Sequence, residues 1–151
     1  MIRISKETTL KAPLEAVFSY IADPINWPEF WSSLVRVTDV ETLPNGGYRA
    51  NFEYKMAGRL FTGSGEYTEF IPNQLIVIKT KGGVKSTMTW TFQSSAKDET
   101  GVTFMVEYNI PNPLLKFLAE PIITHMNEQD AQTLLNNLVY RFMFWNSIYK
   151  S

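Results

Sequence analysis

The order of segments along this chain narrows its fold more than any single motif does. One strand comes first, then two short helices, then an unbroken run of about six strands, and finally one long amphipathic helix at the C-terminus. A sheet with one apolar face has to bury it against another layer, so this order implies a sheet curled around the last helix, with space between the two.

The local patterns support each segment. The first strand covers about Ile2–Leu10, and Ala12-Pro13 then opens a helix with proline at its first position, where a missing N–H costs nothing. Leu14, Val17, Phe18 and Ile21 follow at helical spacing, and Asp23-Pro24 stops the helix. Asn26-Trp27-Pro28-Glu29-Phe30-Trp31 reads as a second, very short helix carrying three rings that need an apolar surface. From Leu34 the period becomes two. Tyr48, Ala50, Phe52, Tyr54 and Met56 alternate with Arg49, Asn51, Glu53 and Lys55, which gives one buried and one wet face. Met88, Trp90 and Phe92 repeat the pattern, as do Val102, Phe104, Val106 and Tyr108. Turn signals at Pro44-Asn45-Gly46-Gly47, Pro72-Asn73, Gly82-Gly83 and Lys97-Asp98-Glu99-Thr100-Gly101 fall where antiparallel hairpins need them.

The strand over roughly residues 60–70 puts Phe61, Gly63, Gly65 and Tyr67 on one face, expected to point inward. Two glycines there either bend the sheet or leave room for a ligand. Glu66 and Glu69 alternate to opposite faces, so at most one looks inward. Asn112-Pro113 then starts the last helical segment, with Leu114, Leu115 and Leu118 ahead of Pro121 and Leu134, Leu135, Leu138, Phe142 and Trp145 after it. A proline removes one hydrogen bond and clashes with the preceding turn, so a break is expected near Ala119–Glu120, with a long uninterrupted helix beyond.

Composition excludes several functions. Fourteen basic and fifteen acidic residues give a net charge of -1, with no block of like charge, which argues against binding nucleic acid or an anionic membrane surface. The charged N-terminus does not read as a signal peptide and no apolar run is long enough to span a bilayer, so a cytoplasmic protein without stable membrane insertion is expected. With no cysteine and a single His125, disulfides, thiol nucleophiles and Cys-based zinc sites are ruled out. No metal or cofactor is expected. Gly63-Ser64-Gly65 is too short for a nucleophile elbow and lacks the glycines and lysine of a phosphate cradle. The 4 Trp, 7 Tyr and 10 Phe are many for this length, and suit both a core and a pocket lined by large apolar faces with a few phenol hydroxyls. Polar candidates inside such a pocket are Tyr54, Tyr108, Glu66, Glu69 and His125, each with a plain structural alternative: a tyrosine bonded to backbone, an edge salt bridge, an exposed helix histidine.

The segment order, together with Lys11-Ala12-Pro13, Leu14-Glu15-Ala16-Val17-Phe18-Ser19-Tyr20-Ile21-Ala22-Asp23 and Trp27-Pro28-Glu29-Phe30-Trp31, resembles the START-like superfamily and, more narrowly, its polyketide cyclase/dehydrase and lipid-transport (SRPBCC) group. The resemblance implies an α+β helix-grip fold over residues 1–151 as one ligand-binding domain. A seven-stranded antiparallel sheet curls around the long C-terminal helix, two short helices follow the first strand, and an apolar cavity lies between. It places Phe52, Tyr54, Trp90, Phe104, Val106 and Tyr108 on the concave side, Trp27, Phe30 and Trp31 near the mouth, and Leu118, Ile122 and Met126 facing them from the helix; Tyr67, on the ringed face of its strand, and His125, after Pro121, complete the candidate ligand-binding residues. It assigns no catalytic residue.

Three functions remain open. One is a carrier for a hydrophobic small molecule such as a lipid, polyketide or isoprenoid, acting as monomer or homodimer. Another is a cyclase or dehydratase with a pocket Tyr, Glu or His moving protons. The third is an interaction module using the aromatic second helix or the Phe142-Met143-Phe144-Trp145 cluster. Three or more polar side chains converging in the cavity favour the enzyme, and one or none the carrier.

Overall fold

The computed structural model describes residues 2–56, 58–82, 85–108 and 120–149, without the side chains of Met56 and residues 120–126. Strand β1 (Ile2–Leu10) leads into helix α1 (Leu14–Ala22), a 3-10 turn (Pro24–Asn26) and helix α2 (Trp27–Phe30). Six strands follow: β2 (Leu34–Thr42), β3 (Tyr48–Met56), β4 (Arg59–Ile71), β5 (Leu75–Lys81), β6 (Ser86–Ala96) and β7 (Glu99–Tyr108). Helix α3 is described over Glu120–Phe142, and a short α4 (Trp145–Tyr149) ends the chain. This is the helix-grip arrangement. All seven strands form one antiparallel sheet in the order β1-β7-β6-β5-β4-β3-β2, so each strand after β2 pairs with the next and β1 closes onto β7.

The helical connection after β1 has few backbone partners of its own, and side chains supply them. Pro13 stands at the N-cap of α1, one residue earlier than its expected place inside the helix, with its carbonyl accepting from the Val17 N–H at 3.1 Å. The Asp23 carboxylate caps the 3-10 turn by accepting from Ile25 N–H. The Asn26 side chain turns back and donates to the Tyr20 carbonyl. Buried donors fix the rest: Trp27 Nε1 to the Ile21 carbonyl at 2.8 Å, the Tyr67 hydroxyl to that of Ala22 at 2.6 Å, and the Thr100 hydroxyl to that of Ala12 at 2.8 Å. The two short helices are thereby fastened across one end of the sheet.

The inward faces are those the alternation indicates: Ala50, Tyr67, Met88, Trp90, Phe92, Val102, Phe104 and Tyr108 are all buried. No register shift falls at Gly63 or Gly65. Pairing of β3 with β4 runs unbroken through both, and the register shift in β4 lies further on, between Tyr67 and Glu69. Gly65 admits the Phe52 ring, since a Cβ there would meet its Cε1 at 3.1 Å, and Gly63 admits the β5 backbone as well, since a Cβ there would meet the Lys81 carbonyl oxygen at 2.8 Å and Phe52 Cε2 at 3.2 Å. The positive-φ residues Gly46, Asn73, Gly82 and Asp98 mark the four turns, where only glycine or a short polar side chain adopts that conformation cheaply.

Helix α3 lies against the concave face with Leu134, Leu135, Leu138 and Phe142 buried. The uninterrupted helix beyond Pro121 is present as expected. The expected break ahead of it, and Leu114, Leu115 and Leu118, lie outside the described residues. No helix among the described residues is long and apolar enough to cross a membrane. Past α3 the apolar cluster divides: Phe142 is buried, whereas Met143 and Phe144, with Tyr140, Ile148 and Tyr149 nearby in sequence, are exposed.

Candidate functional site

Between the sheet and α3 the apolar surfaces do not meet everywhere. A cavity of about 130 Å³ remains, open at one side. Its floor comes from the sheet, where period-two alternation delivers Phe52 and Tyr54 from β3, Met88 from β6, and Phe104, Val106 and Tyr108 from β7. Trp27 and Trp31, at the two ends of α2, add to its wall. Its roof is α3, where Asn127, Asp130, Ala131 and Leu134 recur at spacings of three and four and so share one face.

The rings are held against one another. Trp31 sits edge-on to Phe104 with centroids 5.9 Å apart, and Tyr54 stacks on Phe61 at 5.5 Å. Such offset and T-shaped pairs fix ring orientation as well as adding contact.

Polar atoms in the lining form three groups. Asp130 accepts from Trp31 Nε1 at 2.9 Å on one carboxylate oxygen and from the Ser33 hydroxyl on the other. Asn127 Nδ2 donates to the Tyr108 hydroxyl at 2.7 Å. The Thr80 and Ser86 hydroxyls share a hydrogen bond of 2.6 Å where β5 and β6 approach their connecting turn. Lys55 is exposed and supplies the one positive charge among the described lining residues.

Of the residues singled out from the sequence, Trp27, Trp31, Phe52, Tyr54, Phe104 and Tyr108 come together around this cavity. Phe30, Tyr67 and Trp90 do not line it. They belong to the core next to it: Phe30 packs against Trp90 with centroids 6.3 Å apart, Trp90 against Phe104 at 4.5 Å, and Tyr67 stacks on Trp27 at 6.1 Å. Burial holds the Tyr67 phenol well above its ordinary pKa, and the hydroxyl is committed to the Ala22 carbonyl. Leu118 and the side chains of Ile122, His125 and Met126 lie outside the described residues.

Neither glutamate candidate lines the cavity. Glu66 forms an ion pair with Arg49, and Glu69 is exposed. The bulge between Tyr67 and Glu69 also breaks the alternation from which their opposite faces were read. Among the described residues no group of three or more His, Cys, Asp or Glu gathers as a metal site would require.

Sequence reasoning missed Ser33, Thr80, Ser86, Asn127 and Asp130. The last two carried a usable signal, because they interrupt the apolar stripe that continues through Ala131, Leu134 and Leu138 at helical spacing.

The sequence matches, over residues 1–142, the family described as polyketide cyclase / dehydrase and lipid transport. No curated protein matches it. Solved structures do. A START superfamily protein from Mycobacterium smegmatis superposes with a TM-score of 0.80 at 13% identity, covering 93% of this chain and 97% of that one. A Thermus thermophilus protein gives 0.78 at 16% identity, covering 94% and 97%. The Zhui aromatase/cyclase from a Streptomyces species gives 0.77 at 13% identity, covering 95% and 94%. At these identities the likeness is one of fold.

Proposed function

We propose, since the chain belongs to the polyketide cyclase/dehydrase and lipid transport family, that it is a single domain that binds a small hydrophobic molecule between the sheet and α3. One observation supports this most directly: six aromatic side chains from three separate elements surround a space that they do not fill. Close packing is the rule in protein interiors, so rings arranged around a void are poorly accounted for by stability alone. Apolar walls of this kind bind by the area they remove from water, at about 25 cal/mol per Å².

The size of the space narrows the ligand. An apolar cavity of ~150 Å³ takes up a molecule the size of benzene, and drug-sized ligands need roughly 300–1,000 Å³. A volume of about 130 Å³ therefore suits one ring or a short branched chain, with any remainder projecting through the open side. A whole two-chain lipid does not fit without movement of α2 or α3.

A cyclase- or dehydratase-type activity is the second reading, favoured by the convergence of Ser33, Tyr108, Asn127 and Asp130 on the lining. By number these polar groups meet the criterion for an enzyme. Their hydrogen bonds to one another and to Trp31 serve equally to hold the walls in place.

Native mass spectrometry of the protein as purified, followed by solvent extraction, tests the leading reading. A stoichiometric apolar adduct of low mass is expected, or, from a clean apo protein, saturable binding of a neutral one-ring compound that quenches Trp31. Absence of both overturns it. Turnover of a bound compound, lost in Tyr108→Phe with binding retained, would establish the second reading instead.

A further inference from the structure

The cavity contains one feature that an apolar ligand alone leaves unused. Asp130 places a carboxylate on the lining, and both of its partners, Trp31 Nε1 and the Ser33 hydroxyl, are neutral donors. Among the described residues it forms no ion pair. A carboxylate has about four lone-pair sites, so two bonds leave it with capacity to accept more. Placing an anion beside apolar walls is unfavourable unless charge or donors compensate it.

Two further pairs of lining side chains are engaged with each other, Tyr108 with Asn127 and Thr80 with Ser86. The remaining wall is largely apolar, with rings from Trp27, Trp31, Phe52, Tyr54 and Phe104, and any ring face that meets a ligand offers it the negative end of a quadrupole. Carboxylate and ring faces thus favour the same kind of group. Lys55 opposes them, but it is exposed, and a lysine ammonium is strongly hydrated on a flexible stem that keeps its charge in water.

We propose that the ligand is an apolar molecule bearing a protonated amine, with the ammonium bound to Asp130 beside the ring of Trp31 and the apolar body in the cavity. This rests on the small-molecule binding reading above. A ligand carboxylate or phosphate would face Asp130 and be disfavoured, which separates this class from fatty acids and other anionic amphiphiles. Trp31 and Ser33 then act as positioning residues, holding both carboxylate oxygens so that the charge points in one direction.

Three probes of matched shape test it: 3-phenylpropylamine, 3-phenylpropanol and 3-phenylpropanoate, titrated at neutral pH and moderate salt with tryptophan fluorescence or ligand-observed NMR as readout. The amine is expected to bind tightest, by about tenfold over the alcohol, as for a charge-assisted hydrogen bond, with the carboxylate weakest. Asp130→Asn is expected to abolish the preference for the amine over the alcohol, the ratio of the two affinities falling to about one whatever the change does to the affinity of either probe. If alcohol and amine bind alike, or the carboxylate binds tightest, the amine assignment is overturned and the cavity reading stands. If none of the three binds, both fall. The ranking on the unmodified protein needs no variant to fold.

Discussion

The two ends of the space between sheet and helix are built from the same materials and end in opposite states. At one end α1 and α2 lower Val17, Phe18, Ile21 and Phe30 into a cluster with Trp90 and Phe92 of the sheet and Phe142 of α3, and all of these are buried. Phe18 lies edge-on to Phe92 at 5.0 Å, and Tyr20 meets Phe142 at 5.6 Å. At the other end the same strands present Phe52, Tyr54, Phe104 and Tyr108, and the same helix presents Asn127, Asp130, Ala131 and Leu134, with a cavity between them. Among the described residues the two ends differ in side-chain size on α3. Leu135, Leu138 and Phe142 pack at the closed end, whereas Ala131 and two short polar residues, alongside Leu134, face the open one.

The harshest way to break this comparison is to make a hole in the end said to be full. Trp90→Ala removes a side chain that is 1% exposed and is expected to destabilise the fold by about 3–5 kcal/mol, read as a fall in the urea midpoint. Tyr54→Ala, on the cavity wall, is expected to cost about 1 kcal/mol. Equal losses would mean that the two ends are packed alike. Trp90 has a further property: its Nε1 is buried with no hydrogen-bond partner among the described residues. Trp90→Phe therefore discards an unsatisfied donor along with some volume, and is expected to be far milder than Trp90→Ala.

Gly65→Ala acts through the cavity wall. A Cβ there meets Phe52 Cε1 at 3.1 Å and Ile78 Cγ2 at 3.3 Å, so the Phe52 ring has to give way. A loss of about 1–3 kcal/mol is expected from overpacking, together with weaker ligand binding, because Phe52 also lines the cavity. Ala131→Leu sharpens the comparison by converting the open end toward the closed one. It adds methylenes where there is space, so stability is expected to change by less than about 1.5 kcal/mol, while binding of a one-ring probe falls by about tenfold or more, as expected when the ligand's volume is taken up. A protein that loses stability heavily, yet binds as before, would show the space to lie elsewhere.

How much of this was legible in the sequence follows from what each kind of pattern encodes. Period two identifies the inward face of a strand, and it correctly gave Phe52, Trp90, Phe104 and Tyr108 one side of the sheet. It carries no information about position along the direction across the sheet. Trp90 and Phe104 are paired in register on neighbouring strands, yet Phe104 reaches the cavity and Trp90 does not. Phe30 and Trp31 are adjacent in sequence and divide in the same way, since α2 ends between them and Trp31 turns out toward Asp130. The Gly63 and Gly65 pair was legible as a request for space but not for whose ring. Their tenant, Phe52, is on the neighbouring strand, and only the β3–β4 register reveals it. Ser33, Thr80 and Ser86 gave no signal, because short polar residues near strand ends are ordinary turn composition.

The smallest effect concerns how firmly the closed end is held. Tyr20 on α1 donates to Glu29 of α2 at 2.7 Å, and Arg141 of α3 reaches the same carboxylate at 3.3 Å while its guanidinium lies 4.2 Å from the centre of the Tyr20 ring. Both charged partners are about half exposed, so Arg141→Ala is expected to cost only about 0.5 kcal/mol. Alkaline pH makes the contact visible. Burial, reinforced by the bond to Glu29, raises the Tyr20 pKa well above that of a free phenol, and Arg141 partly offsets this. A phenol in the unfolded chain ionises near ~10, so the folded state retains its proton where the unfolded state has lost it. The stabilising contribution is complete below that pH and is lost as pH rises through the raised value. Tyr20→Phe is expected to flatten the fall in stability above pH ~10. Arg141→Ala is expected to push the Tyr20 titration later still, seen as delayed phenolate absorbance. An unchanged alkaline slope in Tyr20→Phe would mean that the proton is held elsewhere, with Tyr67, also raised by burial, as the group to test next.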